Sequence, residues 1–150
     1  MFGFFFNQNK DLSNNSRKVK KWQAEHRALA KQAVKVVESY DNNDKKKARK
    51  QLDKLQDLAL KHLMDEDVTF YELFKKAEKS DSNKKIIDSM AEFRKSFIDT
   101  KKALFYFFIY YTDEKNPLDE VFKEKLDGII DALVQRIEFE ETNLYTLINN

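Results

Sequence analysis

His62-Leu-Met-Asp-Glu66 sets an imidazole and a carboxylate four residues apart, one turn from each other on the same side of an α-helix. Both fall on a single apolar stripe, Leu52, Leu55, Ala59, His62, Glu66, Phe70 and Leu73, with steps of three and four. That spacing makes the segment an amphipathic helix, and it carries an acid into the core. An isolated buried charge is very costly, so another segment must supply a partner for Glu66.

This helix is expected over Asp44 to Lys79. Asp41-Asn-Asn-Asp44 is a turn with capping residues before it, and Ser80-Asp-Ser-Asn83 breaks the pattern after it. A preceding helix, Ser16 to Tyr40, turns Val19, Trp22, His26, Leu29, Ala30, Ala33, Val37 and Tyr40 inward. A third, Lys84 to Tyr111, presents Ile86, Met90, Phe93, Phe97, Leu104, Phe107 or Phe108, and Tyr111. Asn116-Pro117 reads as the start of the last helix, a cap residue followed by Pro at the first helical position. That helix runs nearly to the end of the sequence through Phe122, Leu126, Ile129, Leu133, Arg136, Ile137, Glu140, Leu144 and Leu147. Long helices on short connections give an all-α, antiparallel up-down-up-down four-helix bundle. A single domain over 1–150, with residues 1–15 as an N-terminal arm, is the expectation.

Composition agrees with this and closes off other classes. Two Gly and one Pro starve the chain of turns. The net charge of +2 is dispersed over both signs, and Lys45-Lys46-Lys47 reads as a solvated helix face, so nucleic-acid binding has no support. The absence of Cys excludes disulfides and thiolate metal sites and suits a reducing, cytoplasmic location. No apolar run approaches the ~20 residues that span a bilayer. Met1-Phe-Gly-Phe-Phe-Phe6 lacks the basic start of a signal peptide. Self-association or an unidentified protein partner would use this Phe-rich arm or the aromatic run Phe105-Tyr-Phe-Phe-Ile-Tyr-Tyr111.

The polar residues on the inner stripes carry what chemistry there is. Counted from the turns at ~1.5 Å per residue, His26 and His62 are level to within about one helical turn. Glu66 lies near the height of Phe93 and Phe97, and Arg136 and Glu140 match more loosely. All of them meet in one mid-bundle layer on this count. Singly, each has a plain structural reading: a hydrogen-bonded core His, or an ordinary i, i+4 ion pair. Together, two His and two Glu at one level form an N/O ligand set suited to iron, manganese or zinc.

At these residues the chain resembles the hemerythrin-like (HHE cation-binding) family, over about residues 16 to 148. Glu25-His26-x-x-Leu29 is similar to that family's first-helix motif, and His62-x-x-x-Glu66-Asp67-x-x-Phe70-Tyr71 to its second-helix motif. Arg136-x-x-x-Glu140-Glu141-x-x-Leu144-Tyr145 is similar to the fourth-helix repeat, with Arg in place of His. Glu92-Phe93-Arg-Lys-Ser-Phe97 stands where the third helix places its His residues. The resemblance implies a four-helix bundle with a non-haem di-iron centre. It also implies which ligands survive, His26, His62, Glu66 and Glu140, and which are lost, Phe93, Phe97 and Arg136. Phenyl rings cannot ligate, and a guanidinium has no lone pair to give, so a normal di-iron centre is not expected.

Two readings remain. In the one adopted here as the expectation, the bundle is degenerate, metal-free or weakly metal-binding, with an interaction or structural role. Arg136 then replaces the lost iron charge by pairing with Glu66 and Glu140. In the alternative, one iron or other divalent ion sits in a mononuclear two-His, two-carboxylate site and acts in sensing or carriage. Nothing in the sequence defines a substrate, so binding is expected over catalysis.

Overall fold

The computed structural model describes residues 14–79 and 84–145. The expected arm, the break at Ser80–Asn83 and Leu147 lie outside the described residues, as do the side chains of Leu73, Ile86, Met90 and Leu144. Within them the fold is all-α. Helix α1 spans Asn14–Asp41, α2 Lys45–Lys79, α3 Lys84–Tyr111 and α4 Glu120–Phe139. A single π-helical turn, Glu140–Leu144, continues α4.

The α1–α2 turn closes as its composition requires. Asn43 takes a positive φ of 60°, a left-handed conformation that Asn tolerates. The amide of Asp44 then donates to the Ser39 carbonyl at 2.9 Å, and the Asp44 carboxylate caps α2 by accepting from the Lys47 amide at 3.1 Å.

The start of α4 differs from the sequence expectation. Pro117 is not its first residue; the helix begins at Glu120, and Asp119 is the cap, accepting from the Phe122 amide at 3.0 Å. Asn116 instead ties the loop to α3, its side-chain amide donating to the Tyr110 carbonyl at 2.7 Å. The extra residues let Leu118 reach full burial at the end of the bundle. Arg49 of α2 holds the same loop, donating to the carbonyls of Tyr111 (2.6 Å), Asp113 (3.0 Å) and Asn116 (2.9 Å).

The apolar stripes bury along most of their length. Near the end of α1 Val36 is fully enclosed where the sequence pattern put Val37, which is only half-buried, because a 3.6-residue period drifts along a 28-residue helix. The core has two parts. The larger, from Leu29, Leu52 and Leu55 to Leu104, Phe108, Phe122 and Leu126, fills the half nearer the α1–α2 and α3–α4 turns. The smaller, Val19, Trp22, Phe70, Phe93, Phe97 and Tyr145, fills the other half. In chain order His26, Glu66, Arg136 and Glu140 fall between the two, with His62 beside Leu63 at the edge of the larger, so a polar layer divides the apolar interior. On the outside of α3, Tyr106 and Ile109 stay exposed. No helix among the described residues is long and apolar enough to cross a membrane.

Candidate metal centre

Each side chain of the polar layer is delivered by a different turn of helix. His26 comes from α1, His62 and Glu66 from successive turns of α2, Arg136 from α4 and Glu140 from the π-turn beyond it. All five are buried, and His26, Glu66 and Glu140 are completely so. One donor atom from each of His26, His62, Glu66 and Glu140 lies within 4.8 Å of the others. The structure thus brings together the four residues whose levels match in the sequence.

The contacts inside this set are short and directional. Nε2 of His26 and Nε2 of His62 are 3.0 Å apart. His62 Nε2 is 2.9 Å from Glu66 Oε1, and His26 Nε2 is 3.3 Å from Glu140 Oε1. The outer nitrogens of both rings face carboxylates the sequence reading did not single out: His62 Nδ1 lies 2.8 Å from Glu25 Oε1, and His26 Nδ1 lies 3.5 Å from Glu141 Oε1. For His62 the carboxylate on Nδ1 keeps the proton there and turns the Nε2 lone pair inward, as in metal-bound histidines, whereas Glu141 gives His26 only an ion-pair contact. The signal for both acids was their place in the motifs, each one residue from a ligand candidate.

The donor set fits a metal ion. Two donors on arms of about 2.1 Å at a right angle are about 3.0 Å apart. The spacings of 2.9, 3.0 and 3.3 Å agree with such edges. Imidazole and carboxylate are the donors that iron, manganese and zinc accept.

The side where the family's other ligands are missing is closed by rings and a fixed charge. Phe93 and Phe97 pack with centroids 5.1 Å apart, and Phe70 meets Phe93 edge-on at 4.8 Å. The Arg136 guanidinium lies 3.4 Å from the Phe97 centroid, a cation–π contact. Its Nε donates to Glu140 Oε2 at 2.7 Å and its Nη2 to Glu66 Oε1 at 3.2 Å. Nη1 has no hydrogen-bond partner among the described residues. Arg136 therefore reaches both carboxylates.

Electrostatics divide the acids. Burial pushes both carboxyls up, but Arg136 and the neighbouring hydrogen bonds hold Glu140 well below the usual carboxylate range. Glu66, which faces both burial and the Glu140 charge, is pushed up to about 7 despite His62. Burial opposes charge on the histidines too. Glu66 and Glu25 nevertheless lift His62 to about 10, and Glu140 with Glu141 raise His26. Without an ion these shifts favour protons on His62 and Glu66 toward neutral pH, and a proton on either Nε2 would bridge the 3.0 Å between the rings.

Tyr145 is the member that sequence reasoning missed as a site residue. Its hydroxyl is 3.2 Å from Glu66 Oε2, 3.3 Å from Glu140 Oε1 and 3.3 Å from His26 Nε2. Residues five apart do not stack on a regular α-helix. The π-turn aligns them, with the Tyr145 amide donating to the Glu140 carbonyl. The available signal was Tyr145 itself, which closes the fourth-helix motif as Tyr71 closes the second, although Tyr71 is exposed.

Among the described residues, a four-helix bundle with an inward layer of imidazoles and carboxylates is, as a class, a bundle able to hold a metal ion. More specifically, the chain belongs to the hemerythrin HHE cation binding domain family, which it matches over residues 17–148. No curated protein and no solved structure gives a significant match.

Proposed function

We propose that the domain holds a single divalent ion, iron foremost, in a mononuclear site of His26, His62, Glu66 and Glu140, and works as a metal-responsive binding module, not as an oxygen carrier. The observation that carries this is the convergence of one donor atom from each of these four buried residues within 4.8 Å, with the Nε2 atoms of the two histidines 3.0 Å apart. Nε2 lone pairs turned toward each other repel unless a proton or a cation lies between them, and the adjoining carboxylate oxygens supply the remaining donors of a cation site. Such an ion offers Lewis-acid or one-electron chemistry. The chain's own part is to hold the donors, exclude water and balance charge through Arg136. With Phe93, Phe97 and Arg136 giving no lone pairs, this reading has room for one ion.

The ion-pair bundle without metal is the competing reading, favoured by the two contacts from Arg136 to Glu66 and Glu140. Thermal melts of the parent and of His62→Ala, with and without ferrous, manganous or zinc ion, separate the two. A preformed site that the unfolded chain lacks stabilises by mass action, about 2.7 kcal/mol at a hundredfold excess of ion over Kd. The parent should gain that stability and His62→Ala should lose most of the gain while staying folded. Equal melting temperatures in all conditions would leave the metal-free bundle.

A further inference from the structure

We propose that Tyr145 is an additional ligand of the same site, binding a ferric ion through its phenolate oxygen; the inference rests on the metal reading above and extends it to the trivalent state. The hydroxyl contacts three of the four candidate donors, at 3.2 Å from Glu66 and 3.3 Å from both Glu140 and His26. Packing alone gives no reason for it. The ring lies parallel to His26 at 6.0 Å and sits 5.8 Å from Trp22, contacts that a phenyl group would make equally well. A buried oxygen aimed into a ring of ligand atoms has a use that the ring does not.

The π-turn gives a second, independent indication. It departs from regular α-helix at the one place where that departure carries residue 145 onto the face of Glu140. π-Turns inside α-helices occur frequently at functional sites. The chemistry also matches. Ferric ion is a hard cation that favours anionic oxygen, and a phenolate adds a third negative charge to the two carboxylates that face the ion and Arg136. On ligation the phenol O–H bond breaks, its electron pair stays on the oxygen and is shared with the iron, and the proton leaves to the buffer. No electron is transferred when the iron is supplied as ferric ion.

The test is to load the whole chain with ferric nitrilotriacetate, remove excess reagent, and record iron content, visible absorption and resonance Raman spectra. The parent should bind one iron per chain with a phenolate-to-iron charge-transfer band and enhanced tyrosine ring modes. Tyr145→Phe, which keeps the ring, should bind iron and lose the band entirely. Should that variant fail to fold, ring-deuterated tyrosine in the parent gives the assignment, because the enhanced modes shift only if a phenolate is bound. A parent that binds iron without the band or the shift overturns the role of Tyr145 and leaves the two-His, two-carboxylate site standing. A band retained in Tyr145→Phe overturns it as well. A parent that takes up no ferric ion overturns the role of Tyr145, and the melts with divalent ions then decide the site itself.

Discussion

Arg136→Ala removes the one guanidinium that two buried carboxylates share. The side chain is 4% exposed, and its partners Glu66 and Glu140 are fully enclosed. Deleting one partner of a buried ion pair costs about 3–5 kcal/mol, because the other charge remains without compensation. For a chain of this size each kcal/mol lowers the melting temperature by about 2–4 °C, so the expected fall in chelator is about 6–20 °C. Part of the loss in Arg136→Ala comes from the cavity, and Arg136→Met isolates the charge by keeping most of the volume. Acid should narrow the deficit. With the guanidinium gone, Glu140 loses the main charge that holds its carboxyl low and Glu66 is raised already, so both should titrate above the unfolded value of about 4.3. Stability from such groups is fully present below the unfolded pKa and is lost as pH rises through the folded one. The gap to the parent should therefore be small near pH 4–5 and complete by about pH 8, and a saturating divalent ion should recover much of it by supplying the missing positive charge. Differential scanning calorimetry across that range is the assay. If Arg136→Met melts within about 2 °C of the parent at pH 7.5 in chelator, Arg136 does not neutralise the layer.

Metal affinity should rise with pH, because an ion must displace the protons held by His62, at about 10, and by Glu66, at about 7. The slope is about tenfold per pH unit for each proton released, and calorimetric titration in buffers of different ionisation heat counts those protons; a flat profile would refute the displacement. Ferrous loading should saturate at one iron per chain, since Phe93, Phe97 and Arg136 offer no lone pair, and two irons per chain with a di-iron chromophore would overturn this. Arg49→Ala should lower stability by about 1.5–3 kcal/mol through loss of its carbonyl contacts to the α3–α4 loop, while the metal response stays as in the parent.

The helices and the levels of His26, His62, Glu66 and Glu140 were legible in the sequence because period and turn spacing are local properties. The start of α4 was not. Asn116-Pro117 and Asp119 are both adequate local signals, and the choice fell to burial of Leu118, a tertiary demand that local pattern does not register. Pairing of Arg136 with both acids follows from charge and the inward stripe, whereas its seat on Phe97 depends on how α3 and α4 approach one another. Tyr145 was hidden by the assumption of a uniform 3.6-residue period, which turns residue 145 away from Glu140. The roles of Glu25 and Glu141 needed the ring orientations of the two histidines.

The π-turn has a genetic consequence. It accommodates one residue more than the α-helical path needs, so the end of the last helix is indexed by chain length as well as by side-chain identity. Loss of a single codon from 142–144 would restore an uninterrupted α-helix and leave the tyrosine four residues from Glu140, on the face it already occupies. A second deletion there would have no extra residue left to absorb it and would rotate the phenol by about 100°, off the polar layer, although every histidine and carboxylate candidate had been kept. For this domain, insertions and deletions near the end of the last helix are a route of divergence distinct from replacement of the histidines.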